Sequence, residues 1–426
     1  MTRKLHHGRG KPGRAHDARN AQHPKAKSEH GAQAGPSRDQ RSAQARARAQ
    51  AHARNPSPTA AEPALPRDVQ ARLGTINALL QRGEPLRVGE WLWTCREGSE
   101  RDVIEELLLR GDLRPRLLAP ALIASRKAPA DAGERLDLTF ARQGLPVSLL
   151  VHADNVAQLA EQLATHLVPL LSAAEGYALH VFVPDSTQSN PLSQRAQSLG
   201  DQLGNLLHAA LANHKRLLDS ELRRASVPLA QVCLYAHDDA AAGVLACDRA
   251  LSTAAGGRTR MRLDGAAPSR AARKLEEAFA WLGVSPGPGE LCVDLGAAPG
   301  GWSWLLLERR ARVIAVDPAR MDPKLAVQRR LTHVQGSAFD FAPEEPVDWL
   351  FCDMAWRPLE VAQMLARWGR RRFTRLLVAN FKLPMKRKAE MVQRIRATLT
   401  EGGFTAIRTR QLYHDRDEIT LTARVR

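Results

Sequence analysis

The sequence predicts an α/β protein whose C-terminal domain, residues 268–426, is a helix-covered parallel sheet built to hold a nucleoside-like ligand. Small α/β units and a basic tail precede it. Three observations carry this prediction. A short buried strand at 291–294 runs directly into a glycine turn, Gly296, Ala297, Ala298, Pro299, Gly300, Gly301, and then into a helix at 302–309. A second apolar strand, 313–316, ends in Asp317 about 20 residues beyond the turn, where an acidic group can accept from ribose hydroxyls. Two more apolar strands, 347–352 and 376–381, lead into Asp353 and Lys382, and parallel strands deliver such residues to a common crevice.

The elements follow in chain order. Residues 1–66 contain no Phe, Trp, Tyr, Ile or Val, and carry 13 Lys and Arg against 4 Asp and Glu, a net +9 of the chain's +17. With almost no large apolar side chains to offset ordering entropy, this segment is expected to be a disordered basic tail. It reads equally as a flexible arm that raises RNA affinity without specificity and as a solvated extension or misassigned start. The overall charge favours a polyanionic partner such as nucleic acid, because basic side chains displace counterions from phosphates. Five cysteines lie far apart with no C-x-x-C pair, so neither a zinc site nor a disulfide framework is expected. No metal is expected, and neither a transmembrane run nor a signal-peptide apolar region is present, which predicts a soluble, cytoplasmic, monomeric protein.

Residues 67–150 are expected to form a small α/β unit: an extended run at 90–96, a helix at 99–110 and strands at 136–140 and 147–152. Residues 151–250 read as a second, ferredoxin-like unit. Its helix, 155–171, sets Val156, Leu159, Leu163, Leu167 and Leu170 on one face, and buried strands follow at 178–183 and 231–235. No catalytic constellation appears in either unit, so substrate binding and plain scaffold both remain open. From Asp238 to Pro268 the chain is rich in Ala and Gly and reads as a connector, with the linker itself at 251–267.

Glycine is needed in the 296–301 turn where backbone must adopt positive φ and pass close to a ligand, and the helix after it offers free N–H groups. The spacing is not G-x-G-x-x-G, and Pro299 stiffens the loop for a ligand without phosphates. S-adenosylmethionine fits this layout. The stretch from Asp294 to Trp302 resembles motif I of the FtsJ-like RNA ribose methyltransferases, a branch of the Rossmann-like class I methyltransferase fold. Pro268-Ser-Arg, Lys274-Leu-Glu-Glu-Ala278, Cys352-Asp-Met354, Asn380-Phe-Lys-Leu-Pro-Met385 and Gln411-Leu-Tyr-His-Asp-Arg-Asp-Glu418 narrow the resemblance to the ribosomal RNA large subunit methyltransferase M family. Trp93-Thr-Cys-Arg-Glu-Gly98 is similar to that family's opening segment, which precedes a THUMP-like RNA-binding unit, here 151–250.

The resemblance implies a 2′-O-methylcytidine product in 23S ribosomal RNA, with naked RNA or a pre-ribosomal particle as substrate. It also implies a Lys-Asp-Lys-Glu set at Lys274, Asp353, Lys382 and Glu418, and cofactor contacts at Ser269, Asp294, Gly296, Ala298, Pro299, Gly300, Gly301, Trp302, Asp317, Ser337 and Asp353. Chemistry supports the set. A ribose hydroxyl is a poor nucleophile at neutral pH, so methyl transfer gains from a positioned base. A lysine, with a free pKa of about 10.4, serves only when neutral. A second cation such as Lys274 favours the neutral form of Lys382, the assigned base, whereas Asp353 and Glu418 favour its charged form. The four are expected to titrate together.

Two positions depart from the family pattern: Ala271 replaces a serine, and Ser337 stands where an aspartate reads the adenine amine. A neutral acceptor at Ser337 is expected to weaken cofactor binding. Base methylation is disfavoured, since Asp353-Met-Ala-Trp356 stands where amine methyltransferases carry N-P-P-Y. Cys352 is expected to point away from Asp353 as a core residue, which removes the cysteine nucleophile of a carbon-5 mechanism. Two competing classes remain, a non-catalytic RNA-binding or ribosome-assembly factor that keeps the fold and a small-molecule methyltransferase. Tyr413 and His414 suit RNA contact and core packing equally.

Overall fold

Alternating and continuous apolar runs sort the strands into three sheets in the computed structural model, which describes residues 67–111, 113–129, 136–219, 221–222, 226–259, 271–415 and 417–425. The expected tail at 1–66, the linker's 260–267 and Ser269 lie outside the described residues.

The first sheet is antiparallel. Helices α1 (Arg67–Gly74) and α2 (Ile76–Leu79) precede β1 (Trp91–Thr94), and α3 (Glu100–Leu109) precedes β2 (Arg116–Ala119), β3 (Leu122–Ser125) and β4 (Gln143–Pro146). The strand order is β2-β3-β1-β4. Residues 136–140, expected as a strand, form none. Their N–H groups go elsewhere: Thr139 and Phe140 donate to the Glu106 carboxylate of α3 at 2.7 to 3.1 Å, and Leu136 donates to the Arg249 carbonyl at 3.0 Å. An apolar run with its donors spent on a side chain has nothing left for a ladder.

The second sheet holds β5 (Leu149–His152), β6 (Gly176–Phe182), β7 (Lys215–Arg216), β8 (Pro228–Leu234) and β9 (Asp239–Ala246), in the order β5-β9-β8-β6-β7. Helices α4 (Val156–Leu171) and α5 (Ser193–Ala210) pack together with it around a leucine-rich core. Asn155 caps α4 by accepting from Gln158 N–H at 2.9 Å. The buried stripe of α4 is Leu159, Leu163, Leu167 and Leu171; Leu170, expected on that face, is 44% exposed, and Val156 is half-buried. Steps of four carry the stripe one residue further round than the sequence reading placed it.

The largest correction concerns β9. Asp239–Ala246, the first part of the Ala/Gly-rich stretch read as connector from Asp238, is instead an interior strand, paired antiparallel with β5 on one side and β8 on the other. Ala240, Ala241 and Ala242 are fully buried. Small side chains suit this position because the β4–β5 corner crosses directly above it: a Cβ at Gly243 would collide with the Pro146 carbonyl oxygen. Composition alone carried no β signal, since alanine lacks the branched side chain that marks strands.

The third sheet has seven strands. Helix α6 (Ala271–Leu282) leads to β10 (Leu291–Leu295), α7 (Gly301–Glu308), β11 (Arg312–Val316), α8 (Pro323–Ala326), β12 (Leu331–Val334), β13 (Val347–Cys352) and α9 (Pro358–Arg370). Then come β14 (Thr374–Lys382), α10 (Lys388–Glu401), β15 (Phe404–Arg410) and β16 (Glu418–Val425). The order is β12-β11-β10-β13-β14-β16-β15; β10 to β14 run parallel, and β16 and β15 close the edge antiparallel. Side chains from α6, α7 and α8 pack in one core cluster of this sheet and those from α9 and α10 in another, so both faces are covered and every residue of β13 but Asp348 is buried.

Candidate active site

Parallel strands present their carboxyl ends to one crevice, and the chemistry-bearing residues stand there. The turn after β10 needs glycine twice: φ is +78° at Gly296 and +118° at Gly300. A Cβ at Gly296 would also come within 2.7 Å of Met354 Cγ, and one at Gly300 would collide with Leu325. The Ala298–Pro299 peptide between them is cis. At the end of β11, Asp317 fastens this turn, accepting from Ala298 N–H at 3.1 Å and from Ala319 N–H at 2.7 Å.

Asp294 is 1% exposed. Its Oδ2 accepts from Ser303 Oγ at 2.7 Å, while Oδ1 has no partner. Burial, together with the nearby charges of Asp353 and Asp317, raises its carboxyl to about 7. Three aspartates therefore end β10, β11 and β13 side by side. An acidic crevice with an orphaned buried oxygen suits a ligand that brings cationic groups and ribose hydroxyls, as S-adenosylmethionine does, and would repel a pyrophosphate. Of the other expected cofactor positions, Ser337 is exposed and its hydroxyl accepts from Phe339 N–H at 3.2 Å. The Trp302 side chain is 3% exposed and donates to the Ala271 carbonyl at 3.0 Å, which ties α7 to α6.

Beside the turn, Lys274 of α6 forms an ion pair with Glu418, the first residue of β16. Burial works against the Lys274 charge, but Asp353 and the Glu418 pair outweigh it and hold the ammonium above its ordinary range. Asp353 moves the same way for a different reason. Burial raises its carboxyl, and Lys274 offsets this only in part. Lys382 ends β14 directly opposite Glu418, and Asn380 stands opposite Thr420 two pairs further in. Because side chains alternate, Lys382 leaves β14 on the same side as Asn380, whose Nδ2 donates to Asp353 Oδ1 at 3.3 Å. The Lys382 side chain is exposed.

Several participants escaped the sequence reading. Glu277, one turn beyond Lys274 on α6, accepts from the N–H groups of Tyr413 and His414 at 2.7 and 3.0 Å and so holds the segment that leads into Glu418. Arg142 lies over the Tyr413 ring at 4.9 Å, and His414 is half-buried. Asp415 and Asn380 complete the set. Both lie inside motifs already singled out, so proximity in sequence to Lys382 and Glu418 was the available signal. Cys352 is fully buried, and burial pushes its thiol far up, as suits a core residue. All five cysteines are free. Among the described residues no His, Cys, Asp and Glu group is gathered to hold a metal ion, and no helix is long and apolar enough to cross a membrane.

Comparison with known proteins identifies the family. The family model for FtsJ-like methyltransferases matches residues 267–384. A Halorhodospira halophila protein named ribosomal RNA large subunit methyltransferase M is 35% identical over 78% of this chain and 96% of its own length. Proteins of the same name from Alkalilimnicola ehrlichii and Xylella fastidiosa strain M12 are 36% and 31% identical, over 67% and 77% of this chain and 79% and 97% of their own. With a relative this similar along nearly its whole length, the chain belongs to the ribosomal RNA large subunit methyltransferase M family, RNA methyltransferases that use S-adenosylmethionine.

Proposed function

We propose that the protein methylates the ribose 2′-hydroxyl of a cytidine in 23S ribosomal RNA, with S-adenosylmethionine as donor and Lys382 as general base. The observation that carries this reading is the convergence of four separate elements: Lys274 of α6 paired with Glu418 of β16, Asp353 after β13 beside them, and Lys382 of β14 in register with Glu418. The cofactor would be held by the 296–301 turn, by Asp294, Asp317 and Asp353, by Trp302 through its backbone, and by Ser269 and Ser337. When bound, it supplies an electrophilic methyl group.

The chain's own residues handle the proton. Lys382, exposed at the strand end, takes it from the ribose hydroxyl. Glu418 is committed to Lys274 and Asp353 faces the same ammonium, so the two carboxylates fix that cation in place. The accessory sheets are assigned to RNA recognition, as the family's THUMP-like unit implies.

The test is transfer of labelled methyl from S-adenosylmethionine to large-subunit ribosomal RNA prepared from cells lacking this gene, with the product mapped for 2′-O-methylation. Transfer to one cytidine, lost in Lys382→Ala, is the expected result. Folded protein that transfers to neither naked RNA nor pre-ribosomal particles would favour a non-catalytic RNA-binding factor.

A further inference from the structure

A line of four side chains leads inward from Asp353, and its hydrogens do not balance if both end carboxyls are ionised. Asn380 Nδ2 donates to Asp353 Oδ1 at 3.3 Å, Thr420 Oγ1 donates to Asn380 Oδ1 at 2.8 Å, and the same Thr420 oxygen lies 3.1 Å from Asp415 Oδ2. A threonine hydroxyl has one hydrogen. Spent on Asn380, it leaves only an accepting oxygen towards Asp415, so the second contact needs a hydrogen from the Asp415 carboxyl. With the amide turned over, Asn380 would donate to Thr420 and Thr420 to Asp415, and the amide oxygen would then require a proton on Asp353. In both arrangements one of the two carboxyls carries the proton.

The surroundings decide which. Asp415 is 1% exposed; its Oδ2 also accepts from Leu412 N–H at 2.9 Å, and its Oδ1 has no partner. The charged groups facing it are Lys274 and Glu277 from α6 and Glu418 from β16, two carboxylates against one ammonium. Arg96 reaches the Asp415 backbone carbonyl, at 3.5 Å, and so leaves the carboxyl uncompensated. Asp353 is only half-buried and has Lys274 to favour its charge. We propose that Asp415 is a protonated positioning residue, which through Thr420 and Asn380 holds Asp353 as an accepting carboxylate beside Lys274. Burial raises the Asp415 carboxyl well above the ordinary range, in keeping with this. The role assigned to Asp353 rests on the proposed function; the protonation of Asp415 does not.

The first test is therefore independent of activity. Infrared difference spectra of the full chain carrying carbon-13 aspartate, wild type minus Asp415→Asn at neutral pH, should contain the C=O stretch of a neutral carboxylic acid. A difference made up only of carboxylate stretches would overturn the proposal. If Asp415→Asn does not fold, wild type minus Thr420→Val serves instead, since loss of the hydrogen bond shifts the same stretch.

Kinetics then test the positioning. Thr420→Val and Asp415→Leu should each lower kcat about tenfold with KM for S-adenosylmethionine unchanged. Thr420→Ser should recover most of the loss, because it restores the hydroxyl. A Thr420→Ser enzyme that is folded yet as impaired as Thr420→Val would overturn the positioning role. Absence of methyl transfer by the wild type would count against the proposed function and leave the infrared result standing.

Discussion

Helix α3 and the carboxyl end of the seven-stranded sheet both bury carboxylates, and they use them to opposite ends. On α3, Asp102 pairs with Lys388 of α10 at 2.9 Å, Glu105 accepts from the Glu390 N–H near the start of α10, and Glu106 accepts from two backbone N–H groups. Each acid there faces a fixed donor: Asp102 and Glu105 fasten α3 to α10, and Glu106 fastens it to the segment at 139–140. At the sheet, Asp353 and Glu418 crowd towards one another around Lys274, with Asp294 beside Asp353. An orphaned oxygen does not separate the two regions, for Glu105 Oε1 lacks a partner as Asp294 Oδ1 does. What separates them is the source of the donors. The α3 acids are tied to backbone N–H groups and to the Lys388 ammonium, whereas at the sheet Asp353 and Glu418 share the Lys274 ammonium, a grouping that persists where chemistry uses it.

The comparison is sharpened most by removing one acid from each side. Asp353→Ala should reduce methyl transfer about a thousandfold in single-turnover assays while leaving the melting temperature close to that of the wild type. A large loss of stability with intact transfer would make the sheet cluster structural, like α3. Lys388→Ala should do the reverse: it leaves Asp102 buried without its cation and costs about 3 kcal/mol in denaturant unfolding, with kcat of the folded fraction unchanged.

Glu105→Gln is expected to stabilise the protein, and only at higher pH. Burial raises this carboxyl from 4.5 to about 7. Because its folded value lies above its unfolded one, the carboxyl's contribution is fully present below about pH 4.5 and is lost as pH rises through about 7. The amide does not titrate and still accepts from Glu390, so the variant should match the wild type at pH 4 and exceed it by about 1–2 kcal/mol at pH 8. Equal stability at both values would show that Glu105 stays ionised at little cost. The smallest effect belongs to a region with no buried acid at all: Asn155→Ala removes the α4 cap and should cost about 1 kcal/mol without touching catalysis.

Legibility followed the range of the interaction. Asp353 and Lys382 could be read because each sits at the end of its own apolar run, and Pro384 marks the stop beyond β14. The glycine turn could be read because positive φ is a demand of a few adjacent bonds. Strand β9 could not, since its alanines are strand-like only under the β4–β5 corner. The segment 136–140 looked like a strand and became a seam because Glu106 supplied an acceptor that no local pattern announces.

The sequence by itself determined the strand-turn-helix unit, the acidic and basic strand ends and the family to which they belong. Only the tertiary structure decided that Lys274 meets Glu418 across 144 residues, that Thr420 stands opposite Asn380, and that Asp415 is sealed from water. The physical reason is that backbone conformation is set by neighbours along the chain. The charge state of a carboxyl is set by whatever the rest of the molecule packs around it.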